Sequence, residues 1–161
     1  MSSDSRLIKL ALSVLIFEEG YRSRAYYCSL GYPTIGYGFK LGPKKTPLSN
    51  YVFELTEPVA KVWLEELIQG VISNIKLCPV IYDAYKKCNE ERQAILISMA
   101  YQLGITGLSK FVNFLTSVAK NDWKSAHTHM LDSKWHEKQT PHRAKRHAHQ
   151  IITGIKISEY S

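Results

Sequence analysis

Long hydrophobic runs are scarce in this sequence. The longest, Leu10 to Phe17, is interrupted by Ser13 and preceded by Lys9, far short of the ~20 apolar residues that span a bilayer. It also lacks the basic start and small-residue cleavage site of a secretory signal. It is expected to be a buried helix of a protein made in the cytoplasm, with release or carriage needed for any action outside. Cysteine is sparse too, with only Cys28, Cys78 and Cys88. An odd count without a signal argues against a disulfide framework. Cys78 and Cys88 form no CxxC pair, which argues against zinc, and they are expected to be small buried apolar residues. Gly31, Gly36 and Gly38 do not follow the order strand, GxGxxG, helix, and GxxxxGK[ST] is absent, so the common nucleotide sites are excluded. HExxH is missing as well. His127, His129, His136, His142, His147 and His149 include His-x-His pairs, whose rings point to different faces of a helix. A solvated basic helix is the expectation there, with no metal and no cofactor.

What is present is a chain of 161 residues, 45% of them hydrophobic, enough for one domain with a real core. The net charge is +7 and gathers near the C-terminus, in Lys134-Trp135-His136-Glu137-Lys138 and His142-Arg143-Ala144-Lys145-Arg146-His147. A basic surface favours polyanions, whether nucleic acid, anionic membrane or acidic wall polymer, and charge alone does not choose among them. A nucleic-acid domain calls for interleaved exposed aromatics or a recognition helix, and Trp135 is the only aromatic near the Arg143–Arg146 cluster.

Hydrophobic spacing predicts a mainly helical α+β protein with one small sheet. Ser3 or Asp4 can cap a first helix running to about Glu19, with Leu7, Ile8, Ala11, Leu12, Leu15 and Ile16 on one face and Gly20 as its stop. Arg24 to Lys40 turns to Tyr, Ile, Phe, Gly and Pro, which reads as short strands with tight turns. Thr56 then caps a long helix with Pro58 in its first turn and an apolar stripe of Val59, Val62, Trp63, Leu67, Val71 and Ile75. Shorter helices are expected at about Ile81 to Cys88, Glu90 to Leu103, Ser109 to Lys120, Trp123 to Leu131 and Pro141 to Thr153.

Three polar groups of different chemistry are spread across the helix-to-sheet transition. Glu19 closes the first helix, Cys28 follows nine residues later, and Thr34 six after that. A carboxyl in a partly desolvated site can serve as a general acid. Glu18 competes with Glu19 for that role, and spacing does not rank the two. Cys28 can hold a water, or pack beneath the sheet. It has no local Cys–His signature, and a strong nucleophile needs a lowered pKa. Thr34 alone is an ordinary strand threonine.

These residues together resemble the phage lysozymes of glycoside hydrolase family 24, of the T-even phage type. That family's motif runs Glu, eight residues, Asp or Cys, five residues, Thr, then Ile-Gly-x-Gly, matched here by Glu19, Cys28 and Thr34-Ile35-Gly36-Tyr37-Gly38. Glu91-Arg92-Gln93-Ala94 through Met99-Ala100-Tyr101-Gln102-Leu103-Gly104 is similar to its central helix. Lys120-Asn121-Asp122-Trp123, Ser133-Lys134-Trp135, Gln139-Thr140-Pro141-His142-Arg143-Ala144-Lys145-Arg146 and Thr153-Gly154 are similar to later segments. The resemblance implies one lysozyme-like domain, with a sheet-containing lobe at about 12–57, a connecting helix at about 57–76 and a helical lobe at about 76–161.

It further implies a muramidase that hydrolyses the β-1,4 bond between N-acetylmuramic acid and N-acetylglucosamine in peptidoglycan, inverting the anomeric carbon. Glu19 would be the acid, Cys28 and Thr34 would hold the water, Gln102 and Trp135 would line the sugar cleft, and Arg143 would orient Glu19. The implied protein is a monomer without nucleic-acid partner or membrane insertion, acting on the wall after release or as part of a virion. Cys28 stands where many members carry Asp, which also admits a non-catalytic wall-binding module. Phe39 replaces a histidine that forms a structural ion pair in the best-known member. The segment from Trp135 to Arg143 is one residue longer than the family's.

Overall fold

The computed structural model describes residues 3–136 and 140–161. Along the chain run α1 (Ser3–Glu19), β1 (Arg22–Tyr27), β2 (Pro33–Gly36), β3 (Phe39–Lys40), α2 (Glu57–Lys76), α3 (Pro79–Tyr85), α4 (Glu90–Ser109), α5 (Val112–Ala119), α6 (Trp123–Leu131) and α7 (Pro141–Thr153). Short 3₁₀ turns lie at Leu48–Asn50 and Ser158–Tyr160. The expected α+β class, mainly helical with one small antiparallel sheet, is the one that forms.

Helix α1 buries Leu7, Leu10, Ala11, Val14 and Leu15, a stripe at three- and four-residue steps. Ile8, Leu12 and Ile16 of the expected face sit at its margin, half-buried. The stripe packs on α4 and α2. Asp4 lies in the first turn, and the capping role expected of Ser3 falls outside the described side chains. At the other end Gly20 takes φ +67° and its N–H donates to the Ile16 carbonyl at 3.3 Å, so the helix stops with Glu18 and Glu19 as its last two residues.

The sheet has the order β1-β2-β3, all antiparallel. Tyr26 and Lys40 face Thr34 from either side, and Phe39 faces Ile35. The pairing shifts between Arg22 and Tyr26, as a bulge does when it re-aims a strand. As the central strand, β2 is buried from end to end. Phe39 is also buried, its ring centroid 4.4 Å from that of Trp63 on α2. Where the resemblance marks a missing ion pair, this chain therefore has an aromatic contact that fastens the sheet to α2.

Helix α2 corrects an expectation. The buried residues are Ala60, Leu64, Ile68 and Ile75, while Val59, Val62 and Leu67 of the predicted stripe are exposed. Two apolar sets interleave on this helix, Val59-Trp63-Leu67-Val71-Ile75 and Ala60-Leu64-Ile68, both at four-residue steps. Ile75 of the predicted stripe is buried and Trp63 and Val71 are half-buried, so the inward face lies between the two, centred on Leu64 and Ile68. Each fully buried Leu or Ile there contributes about 1.5–3 kcal/mol, so this face determines the rotation. Thr56 occupies the cap position but makes no side-chain capping bond.

Helix α4 forms the centre. Ala94 through Ala100 are all buried, because α1, α2, α3 and α7 pack around it. Its regular part ends at Gly104, where φ 74° and ψ 165° break the helix in a region that only glycine enters freely. Helix α3 begins earlier than expected because Pro79 starts it, a position where proline is well placed. Helix α5 is shorter than expected at both ends. Cys28, Cys78 and Cys88 are all free thiols. Cys88 is buried, but Cys28 and Cys78 are only half-buried.

Candidate active site

Glu19 ends α1, and its carboxylate meets two other elements. From α7, Arg143 Nη1 donates to Glu19 Oε1 at 2.8 Å. The Arg143 side chain is 7% exposed and that of Glu19 19%, so the cation is inside and the carboxylate at the rim. Arg143 Nη2 donates to the Ser98 carbonyl at 3.2 Å and to Ser98 Oγ at 2.8 Å on α4. Charge-assisted bonds of this kind are roughly twice as strong as neutral ones, and three of them fix the guanidinium. On the other side lies the β2–β3 turn. A Cβ added to Gly38 would sit 2.9 Å from Glu19 Oε2, and Gly38 has φ +78°. Both the approach and the backbone angle require glycine there.

Two tyrosines feel the charge of the carboxylate. Tyr101 donates its hydroxyl proton to the Tyr37 carbonyl at 2.8 Å, tying α4 to the same turn. Burial pushes its phenol well above the ordinary range, and the charge of Glu19 adds to that while Arg143 opposes it. Tyr26 is raised by burial too. Arg22 opposes the rise, and both Glu19 and Cys28 add to it, so this one ring senses both groups.

Glu18, the competitor for the acid role, has a different fate. Its side chain is 3% exposed. Arg146 Nε and Nη2 grip its two oxygens at 2.8 Å each, and Tyr160 donates its hydroxyl proton to Oε1 at 2.7 Å. One helix turn thus sends one glutamate into a bidentate buried pair and leaves the next with a partly open carboxylate.

Cys28 follows β1 at a turn in which its N–H donates to the Tyr32 carbonyl at 3.0 Å and Gly31 N–H donates to the Cys28 carbonyl at 2.9 Å. Burial pushes the thiol up. The backbone N–H groups of Tyr32, Leu30 and Gly31 and the Thr34 hydroxyl stabilise the thiolate and outweigh it, so the thiol is held below its ordinary value. Thr34 is 3% exposed and donates its proton to the Tyr32 carbonyl at 2.9 Å. That single proton reaches the thiolate only on rotation, and the oxygen keeps lone pairs to accept with.

Gln102, half-buried on α4, accepts from the indole N–H of Trp135 at 3.2 Å. Trp135 itself is 2% exposed. It supports Gln102 from behind and offers almost no surface of its own.

The basic C-terminal segment is less solvated than expected. Helix α7 buries Arg143, Ala144, His147, Ala148, Gln150 and Ile151, an amphipathic stripe that turns one arginine and one histidine inward, with Arg146 half-buried at its margin. His147 departs from the expected solvated face, while His142, His149 and Lys145 stay exposed. Glu137, Lys138 and Gln139 lie outside the described residues. Among the described residues no three His, Cys, Asp or Glu side chains converge as a metal site. A depression of about 630 Å³ between α7 and the C-terminal turn, lined by Lys145, Arg146, His149 and Lys156, contains none of the six predicted site residues.

Sequence reasoning missed Ser98, which holds Arg143, Tyr26, which pairs with Thr34 across the sheet, and Tyr160, which holds Glu18. Ser98 had a readable signal: it is the one hydroxyl in the apolar run Ala94 to Ala100, and a buried hydroxyl needs a partner. Tyr26 precedes Cys28 by two residues, the period of a strand.

The phage lysozyme family matches residues 17–149. The chain is 32% identical over 159 residues to the pre-baseplate central spike protein Gp5 of Enterobacteria phage T4, a match covering 85% of this chain but only 26% of that protein. It is 25% identical over 158 residues to the probable T4-type lysozyme 1 of Dictyostelium discoideum, covering 88% of this chain and 92% of that one. Probable T4-type lysozyme 2 of the same organism is 27% identical over 126 residues, covering 78% and 69%.

Proposed function

The chain belongs to the phage lysozyme family, and on that premise we propose that it is a muramidase, cleaving the β-1,4 bond between N-acetylmuramic acid and N-acetylglucosamine in peptidoglycan. The observation that carries this reading is the Glu19 carboxylate, anchored on one oxygen by Arg143 and left partly open at the rim. A carboxyl fixed in this way can protonate the leaving glycosidic oxygen. Cys28 and Thr34, one turn and one strand away, hold the attacking water on the opposite face of an oxocarbenium-like centre, and attack by that water inverts the anomeric carbon. Gln102 contacts sugar, with Trp135 fixing its amide. The working groove lies between a sheet-containing lobe at about 12–57 and a helical lobe at about 76–161, joined by α2. The reading is of a monomer acting on the cell wall, after release from the cell or as part of a virion, without nucleic-acid partner or membrane insertion. Among the described residues no single helix is long and apolar enough to cross a membrane.

The test is clearing of outer-membrane-permeabilised Gram-negative cells, with product analysis for bond and anomer. Glu19→Gln is expected to lose about 100-fold or more, the usual share of a general acid, while remaining folded. Glu18→Gln is expected to do the reverse, losing stability and keeping turnover per folded molecule, because it breaks the buried pair with Arg146. Near-normal clearing by Glu19→Gln sinks the assignment. Cys28 in place of a carboxylate favours one alternative, a wall-binding module without hydrolysis, in which wild-type protein pellets with walls and releases no sugar.

A further inference from the structure

Behind Arg143 lies a buried residue that the proposed chemistry does not touch. His147 is fully buried on α7. Its Nε2 is 2.7 Å from Ser98 Oγ and its Nδ1 2.8 Å from Tyr160 Oη. Its ring centroid is 5.7 Å from that of Trp135 and 6.0 Å from that of Tyr160. The imidazole therefore touches both supports of the cleft: Ser98, which holds Arg143, and Trp135, which holds Gln102.

The protons in this chain can be assigned from its two ends. Tyr160 has one hydroxyl proton, and it goes to Glu18 Oε1. Its oxygen must then accept from His147, which places the imidazole proton on Nδ1. A second ring proton is disfavoured because burial, then the charges of Arg143 and Arg146, push the imidazolium far below its ordinary range. Nε2 is thus a lone pair, and the group facing it is the Ser98 hydroxyl, whose proton turns toward the ring. That leaves the Ser98 oxygen lone pairs for Arg143 Nη2, which donates there at 2.8 Å. Each link of this relay then has a donor facing an acceptor, and the relay runs one way: Arg143 to Ser98 to His147 to Tyr160 to Glu18.

We propose that His147 is a positioning residue for the reaction: as a neutral imidazole with its proton on Nδ1, it orients the Ser98 hydroxyl so that Arg143 presents Nη1 to Glu19. The inference rests on the muramidase reading for its effect on turnover, but not for the proton arrangement itself. Without the imidazole, the Ser98 proton is free to rotate toward Arg143, where a donor meets a donor. The guanidinium then loses one of its two anchors on α4, and Glu19 loses a fixed partner. Misplacing a reacting group by about 1 Å can cost about 100-fold; partial loosening here is expected to cost roughly 10-fold.

The experiment compares His147→Val, His147→Gln and Ser98→Ala with wild type, with His149→Val as control for an exposed histidine on the same helix. His147→Val and Ser98→Ala are each expected to lower kcat about 10-fold with KM little changed. Gln supplies an amide oxygen to accept from Ser98, so His147→Gln should recover most of the rate. His149→Val should match wild type. A merely structural histidine would lower the melting temperature and leave kcat per folded molecule in place; that result, or no recovery with Gln, overturns the proposal. The nitrogen NMR spectrum of the labelled imidazole adds a readout independent of catalysis. A proton on Nδ1 with bare Nε2 supports the assignment, and a proton on Nε2 refutes it. If wild type hydrolyses no wall, the muramidase reading fails on its own. The spectrum and the Arg143–Glu19 coupling in unfolding, expected to be lost in His147→Val, then decide the relay.

Discussion

Gly38→Ala tests the geometry at Glu19 without touching any polar group. The glycine has φ +78°, and a methyl there would stand 2.9 Å from Glu19 Oε2 and 3.6 Å from its Cδ. Two effects follow and can be separated. The left-handed backbone costs a non-glycine residue about 1–2 kcal/mol, which at this chain length lowers the melting temperature by roughly 2–4 °C per kcal/mol. The close approach must also be relieved, and the carboxylate tip is the part that can give. Arg143 holds the other oxygen, so relief means rotating or shifting the acid by a fraction of an ångström to about 1 Å, which is worth roughly 10- to 100-fold in rate. Gly20→Ala is the control. Its φ is +67°, and no heavy atom lies within 4 Å of the added methyl, so it carries the backbone strain alone. Thermal melts and wall-clearing rates, corrected for folded fraction, should show comparable stability losses in the two variants and a large rate loss only in Gly38→Ala. Equal rates per folded molecule in the two variants would refute the placement of Glu19 against the β2–β3 turn.

Three further outcomes are expected. Iodoacetamide should modify Cys28, whose thiol is held low by backbone N–H groups, well before Cys88, which burial pushes up to about 12; clearing should fall with the Cys28 adduct, and Cys28→Asp should stay active and resist the reagent. On α2, Leu64→Ala should cost about 2–5 kcal/mol as a cavity by urea unfolding, while Val62→Ala, on the exposed side, should fall within about 0.5 kcal/mol of wild type. Folded His147 resists protonation, being buried with Arg143 and Arg146 nearby, whereas the unfolded chain takes up that proton below about pH 6.5. Its contribution to stability is therefore full above that pH and shrinks as pH falls, by up to about 1.4 kcal/mol per unit, and His147→Gln should flatten the unfolding free energy against pH in that window.

Much of the architecture was readable from local patterns. Gly20 after an apolar-periodic run set the end of α1, Pro58 set the start of α2, and Pro141 and Gly154 set the bounds of α7, because helix termini are decided by backbone groups within a few residues. The rotation of α2 was not readable, since Val59-Val62 and Ala60-Leu64-Ile68 are both apolar and the choice depends on which neighbour covers them. The inward turn of Arg143, Arg146 and His147 escaped for the same reason: a basic run reads as solvated until partners from distant segments are known.

The sequence by itself determined the helical class, the small sheet, and the spacing that puts Glu19, Cys28 and Thr34 at the helix-to-sheet transition, because these depend on short-range periodicity and on turn residues. Only the tertiary structure decided between Glu18 and Glu19. The two are adjacent, equally acidic and at the same helix end. They differ in what arrives from other segments: Arg146 and Tyr160 close over Glu18, while the β2–β3 turn and Arg143, held by Ser98, leave Glu19 a partly open face. Burial and charge pairing are properties of that arrival, and no local pattern carries them.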